Sequence, residues 1–271
     1  MSQENSNPIN LQPRKIVGMN YVGLQTLVKK EVGRFMNVYT QTVVAPVVTT
    51  LLFYAVFALA FGGVARTIGE IPYLVFLAPG LVMMTMVQNA FANTSSSMVI
   101  AKVQGNIVDI LMPPLSPTEL YLGFIIGGIC RGLMVGTVVI IVVSLFVGLQ
   151  IHSIPHIIAF AVLGTMMLSS IGLAAGVWSQ KFDHIAAVTN FLVTPLTFLS
   201  GTFYSINQLP EIWHAFAVYN PFFYMIDGFR YGFIGHADGN VMVGLACLVV
   251  VNALLAWLTL WMLRTGYKIK T

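Results

Sequence analysis

The sequence predicts an all-α membrane protein: six transmembrane helices, an N-terminal amphipathic helix on the membrane surface, a short cytoplasmic helix after the second span, and short re-entrant extracytoplasmic helices before the last. Three observations lead there. Apolar residues make up 57% of the chain and charged residues 8%, with a mean hydropathy of +0.84. An ordinary soluble domain carries roughly a quarter charged residues, so no water-facing surface can be built from so few. Apolar runs of membrane length recur along nearly all 271 residues, leaving no stretch for a second aqueous domain. The runs are continuous rather than alternating, which argues against a β-barrel.

Residues 1–40 read as a cytoplasmic tail ending in an amphipathic helix, 41–263 as one six-span domain and 264–271 as a basic cytoplasmic tail. Before the first span, Leu24, Leu27, Val28, Val32 and Phe35 repeat at helical spacing, with Lys29, Lys30 and Arg34 on the other side. That pattern predicts a helix lying flat on the inner leaflet, as a topological anchor or as a holder for a cytoplasmic partner. The first forty residues lack the basic, apolar and small-residue series of a cleavable signal peptide, so the first span is expected to be an uncleaved anchor.

A bilayer core needs roughly twenty apolar residues in a helix, because an unpaired backbone amide in hydrocarbon costs several kcal/mol. Spans are placed at about 41–61, 72–92, 118–147, 155–178, 185–203 and 241–263. The third is long enough to tilt or protrude. Arg14, Lys15, Lys29, Lys30, Arg34, Lys102, Lys181, Arg264, Lys268 and Lys270 fall on one side of this pattern, against Arg66 and Arg230 on the other. Positive residues stay inside, so both termini are expected in the cytoplasm.

Between spans two and three, Lys102 to Leu111 reads as a short amphipathic helix stopped by Pro113 and Pro114. Ile107, Ile110 and Leu111 share one side at i, i+3, i+4 spacing, with Lys102, Asn106 and Asp109 nearer the other. Pro removes a donor and collides with the preceding turn, so the element is short and its exit angle fixed. Many membrane loops hold such a turn without a special task.

Along the third span Gly128, Gly132 and Gly136 recur every four residues, and Gly123 and Gly127 form a second such pair, a spacing that lets backbones approach closely within one chain or between subunits. Arg131 lies twelve residues beyond Glu119, or about 18 Å along a helix, well inside the hydrocarbon. Such a charge needs a partner, a cavity or helix carbonyls; Asn190 and Asn252 are candidates, and a structural network and a substrate contact both fit.

The loop 204–240 should be aqueous yet holds Trp213, Phe216, Tyr219, Phe222, Phe223, Tyr224, Phe229, Tyr231 and Phe233. Two short helices dipping into the outer leaflet, split at Asn220-Pro221, account for that density, as an interfacial anchor or as a gate over an exit path.

Other chemistries find no footing. The basic residues are sparse and flank apolar spans, which excludes a nucleic-acid surface. Cys130 and Cys247 lie inside apolar runs, and His152, His156, His184, His214 and His236 are scattered at span ends with no metal spacing. No Ser, His and acid set converges at one depth, and no G-x-x-x-x-G-K-[ST] loop is present, so any ATP is expected to be hydrolysed by a partner.

Three stretches carry a resemblance: Ile110-Leu-Met-Pro-Pro-Leu-Ser-Pro-Thr-Glu-Leu120, Phe198-Leu-Ser-Gly-Thr-Phe-Tyr-Ser-Ile-Asn-Gln-Leu-Pro210 and Asn220-Pro-Phe-Phe-Tyr-Met-Ile-Asp-Gly-Phe-Arg230. In this order within a six-span pattern, the sequence resembles the ABC-2 permeases, the membrane subunits of type 2 ABC exporters, over roughly 25–265. It looks most similar to small bacterial permeases of the nodulation-factor exporter kind. The resemblance implies an inner-membrane homodimer whose chains each dock one separately encoded ABC ATPase, two copies in all, with ATP and Mg bound there and no cofactor in this chain. It implies a connecting helix with Lys29, Lys30 and Arg34. The coupling helix would present Lys102, Gln104, Asn106, Ile107, Asp109, Ile110 and Leu111. An exit-side cap would use Asn220, Pro221, Asp227 and Arg230. Asp227 and Arg230, three apart, are close enough to pair on a helix.

Many family members carry an acidic or arginine-rich stretch entering the coupling helix, whereas this chain has only Lys102 and Asp109, so docking is expected to lean on apolar contacts. Spans with few ionisable groups favour an amphipathic, lipid-linked or glycan-type cargo, or a drug. A secondary transporter would need intramembrane carboxylates, and no Asp or Glu lies deep in the assigned spans. A lipid-modifying enzyme lacks its catalytic group for the reason given above.

Overall fold

The computed structural model describes residues 18–61 and 67–268; Arg14, Lys15, Arg66 and Lys270 lie outside the described residues. Asn20 caps helix α1 (Tyr21–Met36) by accepting from the Gly23 amide at 2.9 Å. A π-helical turn over Thr40–Val44 then runs into α2 (Ala45–Phe61). The turn has a local cause. Pro46 has no amide and its ring crowds the carbonyl four residues back, so the chain widens and Ala45 N–H bonds to Thr40 O, five residues back. The side chain of Thr42 takes up the slack by donating to Phe35 O at 2.8 Å.

A two-residue ribbon pairs β1 (Thr67–Ile68) with β2 (Ile71–Pro72) around Gly69, whose φ of +60° suits the turn. It delivers the chain to α3 (Tyr73–Val103), the centre of the molecule, which packs on α5 (Pro117–Val147), α6 (Ile154–Trp178), α10 (Pro221–Ile234) and α2. The span expected to end near 92 continues to Val103. Hydropathy fades there because Asn93, Thr94, Ser95 and Ser97 follow, but these are buried among helices rather than released to water. Thr94 donates to Ser169 O at 2.8 Å and Ser95 to Phe91 O at 2.7 Å, so the hydroxyls are satisfied inside the bundle.

Helix α4 (Ile107–Leu111) follows as one short turn, ended before Pro113. The next helix, α5, starts from a capping box: the Glu119 amide donates to Ser116 Oγ at 3.3 Å and Ser116 N–H donates to Glu119 Oε2 at 2.6 Å, with Pro117 in the first turn. The glycine rows of α5 are used within the chain. A Cβ at Gly132 would sit 2.9 Å from the Met86 carbonyl of α3, and one at Gly123 would collide with Leu27 of α1. The row Gly128, Gly132 and Gly136 therefore seats α3 and α6, and the pair Gly123 and Gly127 seats α1.

After α6, α7 (Phe182–Val188), a π turn over Thr189–Val193 and α8 (Thr194–Phe198) form one unbroken helical run in place of the span expected at 185–203. Pro195 sits just beyond this turn as Pro46 does beyond the first, and Thr194 N–H again bonds five residues back, to Thr189 O. Helices α9 (Glu211–Tyr219) and α10 meet at Asn220-Pro221, where the sequence places a break, and α11 (Val241–Thr265) closes the chain against α6 and α10.

Among the described residues, five helices are long and apolar enough to cross a membrane: Thr40–Ala60, Tyr73–Val103, Pro117–Val147, Ile154–Trp178 and Val241–Thr265. The helical run 182–198 is shorter than these. Two of the five, α2 and α11, lie at the margin and expose Leu52, Val56, Leu59, Val250, Leu254 and Trp257 outward, a surface suited to lipid rather than to water.

Candidate functional site

Contacts gather α1, α4, the start of α5 and the C-terminal ends of α6 and α11 at one end, where the described basic residues other than Arg131 and Arg230 also collect. Asn20 N–H, just before α1, donates to Glu119 Oε1 of the α5 cap, so both helices start on one carboxylate. Leu27, Glu31 and Phe35 form the buried stripe of α1. Lys29 and Lys30 face outward, but Arg34 does not join them. Glu31, 0% exposed, accepts from Ser97 Oγ at 2.7 Å and pairs with Arg34 at 3.2 Å. Arg34 then reaches Asn93 O at 2.8 Å, Asn93 Oδ1 at 3.0 Å and Ser96 Oγ at 3.3 Å. The helix expected to be basic on its outer side is thus tied to α3 by a carboxylate and a guanidinium.

The segment Lys102 to Leu111 is also arranged differently from its linear pattern. Lys102 Nζ donates to Val177 O at 2.7 Å and Ser179 O at 2.5 Å, capping the C-terminal end of α6. Cations suit that end of a helix because its last carbonyls are unpaired. Ile110, 4% exposed, and Ile107 turn inward onto the cluster around Leu27, Leu120 and Phe124. What faces outward is Val103, Val108, Leu111 and Met112, with Gln104, Asn106 and Asp109 beside them.

Deeper in the bundle, Arg131 is half-buried on α5 and donates to Asn89 Oδ1 of α3 at 3.1 Å. Neither expected partner is used: Asn252 donates to Leu163 O and Leu248 O instead. Asn89 also lines a groove of about 380 Å³ between α3 and the run 182–198, with Gln88, Ser95 and Ser96 on one wall and Thr189 and Thr194 on the other.

At the opposite end Arg230, 1% exposed, is held from three sides. Its Nη2 donates to Gly201 O at 2.6 Å, its Nε donates to Phe76 O at 3.3 Å, and the guanidinium lies 3.7 Å over the Phe76 ring. Asp227 is 3.9 Å from it and accepts from Asp238 N–H and Gly239 N–H at 2.9 Å each, which ties α10 to the entry of α11. Asn220 accepts from Phe222 N–H and donates to Ser200 Oγ at 2.9 Å. Pro221 is the first residue of α10, where a missing amide costs nothing. Ile212, Trp213, Phe216 and Tyr219 of α9 face outward.

A family model described as ABC-2 type transporter matches residues 22–234, from α1 to the last residue of α10. The chain belongs to the ABC-2 type transporter family. Among relatives of this ABC-2 chain, the inner membrane transport permease YadH of Escherichia coli K12 is 39% identical over 230 residues, 85% of this chain and 90% of YadH. Nodulation protein J of Sinorhizobium fredii is 21% identical over 213 residues, 78% and 81% of the two chains. Nodulation protein J of Rhizobium leguminosarum bv. trifolii is 23% identical over 194 residues, 70% and 74%.

The ABC-2 resemblance drawn from three stretches therefore holds, and the chain is the membrane subunit of a transporter. Sequence reading missed Glu31, Asn89, Asn93 and Ser96, which hold the arginines, and Ser97, which holds Glu31. A usable signal was present: amides and hydroxyls crowding Gln88 to Ser97 of an otherwise apolar helix need partners inside the bundle.

Proposed function

We propose that this chain is the permease half of an ATP-driven ABC exporter of the bacterial inner membrane, working as a homodimer with two copies of a separate ATP-binding subunit. It would carry an amphipathic, lipid-linked or glycan-type molecule, or a drug, out of the cytoplasm or inner leaflet. The run 182–198 then counts as a sixth, π-bulged span. The ends bearing Lys29, Lys30, Lys102, Lys181, Arg264 and Lys268 are cytoplasmic by the positive-inside rule. The YadH relative, named an inner membrane transport permease, supports the location.

The observation that carries this reading is the outward apolar face of α4. Val108, Leu111 and Met112 stand exposed at the basic end, outside every helix long enough to span, with exposed Val103 beside them at the end of α3, and bare apolar side chains there call for a protein partner. In family terms this is the coupling helix, and α1, bonded to α3 through Glu31 and Arg34, is the second element that moves with it. ATP supplies the energy, and the permease has only to be bistable. A cap of Asn220, Pro221, Asp227 and Arg230 closes the exit side.

A carboxylate-coupled secondary transporter is less well served. The buried acids Glu31, Glu119 and Asp227 are each engaged already, by Ser97 and Arg34, by the Ser116 and Asn20 amides, and by the Asp238 and Gly239 amides. The test is energetic: with the ATP-binding subunit reconstituted in liposomes, export of a labelled amphiphile should follow ATP. Export driven by a proton or sodium gradient without ATP refutes the reading.

A further inference from the structure

The α3 wall of the groove is short of negative charge. Two guanidiniums, Arg34 and Arg131, bond to it one turn apart, at Asn93 and Asn89. Among the described residues Glu31 is the one carboxylate bonded in this network, and it is taken up by Arg34 and Ser97. Arg131 has no acidic partner among the described residues. The unmet hydrogen-bonding groups of the network tell the same story. Arg34 Nε, Asn93 Nδ2 and Arg131 Nε are buried without a partner, and Asn93 is 0% exposed. All three are donors. Each unmet donor is destabilising, and an uncompensated charge at this depth is more so.

What such a network lacks is an acceptor bearing negative charge. The groove beside it is placed to admit one. Asn89 and Ser96, which receive Arg131 and Arg34, also line the cavity, so one side chain separates each guanidinium from it. Access of an arginine to the groove requires Asn89 or Ser96 to turn aside. Gln88, Ser95, Thr189 and Thr194 add neutral polar groups around the same space, while Ile185 and Val193 give it an apolar flank. The volume of about 380 Å³ suits a head group rather than a whole lipid.

The geometry points to an oxyanion site in the groove between α3 and the run 182–198, in which Arg131 and Arg34 recognise the phosphate-like head group of an amphiphile whose tail stays in the bilayer. Planar guanidiniums bind oxyanions through paired, charge-assisted bonds worth about twice a neutral one. The inference deepens the proposed export function by naming the charge of the cargo, and it rests on that reading only for calling the ligand cargo.

The test uses the full chain in phosphatidylcholine nanodiscs, with dioleoyl phosphatidic acid as probe, dioleoylglycerol as the uncharged match and inorganic phosphate as competitor. Native mass spectrometry reads retention. The wild-type chain should retain phosphatidic acid about tenfold over dioleoylglycerol, a preference worth about 1.4 kcal/mol. Displacement by inorganic phosphate identifies a site filled by a free anion; no displacement identifies one that needs the lipid. Arg131→Gln should abolish the preference and Arg131→Lys keep part of it. Because Arg131→Gln risks misfolding, Asn89→Asp is the second variant: it supplies an internal counter-charge, should raise the thermal midpoint without ligand, and should also abolish the preference. Lys181→Gln, a surface change at the basic end, should leave it intact. Equal retention of both lipids by the wild type, or an unchanged preference in Asn89→Asp, overturns the site. If the preference holds but ATP-driven export fails, the export reading falls and the oxyanion site stands; the reverse pair of results removes only the site.

Discussion

Glu31 of α1, with no exposed surface, accepts a 2.7 Å hydrogen bond from Ser97 of α3 and pairs with Arg34 three residues on. One carboxylate thus fastens a surface helix to the central helix of the bundle. Removing it leaves Ser97 without an acceptor and Arg34, about a quarter exposed, without a counter-charge. Glu31→Ala should cost about 2–3 kcal/mol, with Glu31→Gln milder because an amide still accepts from Ser97. Thermal unfolding in detergent checks this; equal midpoints for Glu31→Ala and wild type would mean that α1 is held by its apolar stripe alone.

Lys102 invites a different experiment. Its ammonium serves the last carbonyls of α6, Val177 and Ser179, rather than the outward face of α4. Lys102→Met should cost about 1 kcal/mol and speed hydrogen exchange of the amides around 176–179, the last turn that fraying would open first. Unchanged exchange there, with loss of the ATP-binding subunit, would instead make Lys102 a docking residue.

At the far end, Arg230 is bonded to Gly201 O and Phe76 O and stacked on the Phe76 ring. Arg230→Met should destabilise by about 3–5 kcal/mol, since it strands buried Asp227. Asp227 keeps two backbone donors, so Asp227→Asn/Arg230→Met should lose less than the sum of the single changes. Strict additivity in a double-mutant cycle would contradict the pairing.

Gly132 tests the close packing of α5 on α3. A methyl group there would sit 2.9 Å from the Met86 carbonyl, a backbone atom that cannot swing aside. Gly132→Ala should cost about 1–3 kcal/mol, read as a lower thermal midpoint. By contrast Gly33, with open space around its Cβ position, should accept Ala with a gain of under about 1 kcal/mol.

The elements were largely legible in the sequence because hydrocarbon leaves few options: long apolar runs must be helices, and prolines at 113, 114, 117 and 221 mark where they stop or start. The site was legible as a set of positions and misread as a set of directions. Ile110 and Leu111 are adjacent in a five-residue helix, too short for periodicity to say which side meets the bundle; packing on Leu27 and Phe124 decides it. Arg34 belongs to the basic set by sequence, yet Glu31 at one turn's remove draws it inward. Arg131 needs a partner on the sequence alone, but nothing in the pattern singles out Asn89, just inside the expected end of a span, over amides elsewhere. Asp227 with Arg230 was found because an i, i+3 pair needs no tertiary information.

The outward face of α4 decides the account. Leu111→Asp with Met112→Asp changes exposed side chains only, whereas Ile110→Asp puts a charge into the cluster around Leu27 and should unfold that end at about 2–5 kcal/mol. The direct measurement is the amount of ATP-binding subunit that co-purifies with the tagged chain in detergent. The wild-type chain should retain it and Leu111→Asp/Met112→Asp should release it, with an unchanged thermal midpoint. Full retention by that double variant, or no ATP-binding subunit held by the wild type, would contradict a coupling role for this face.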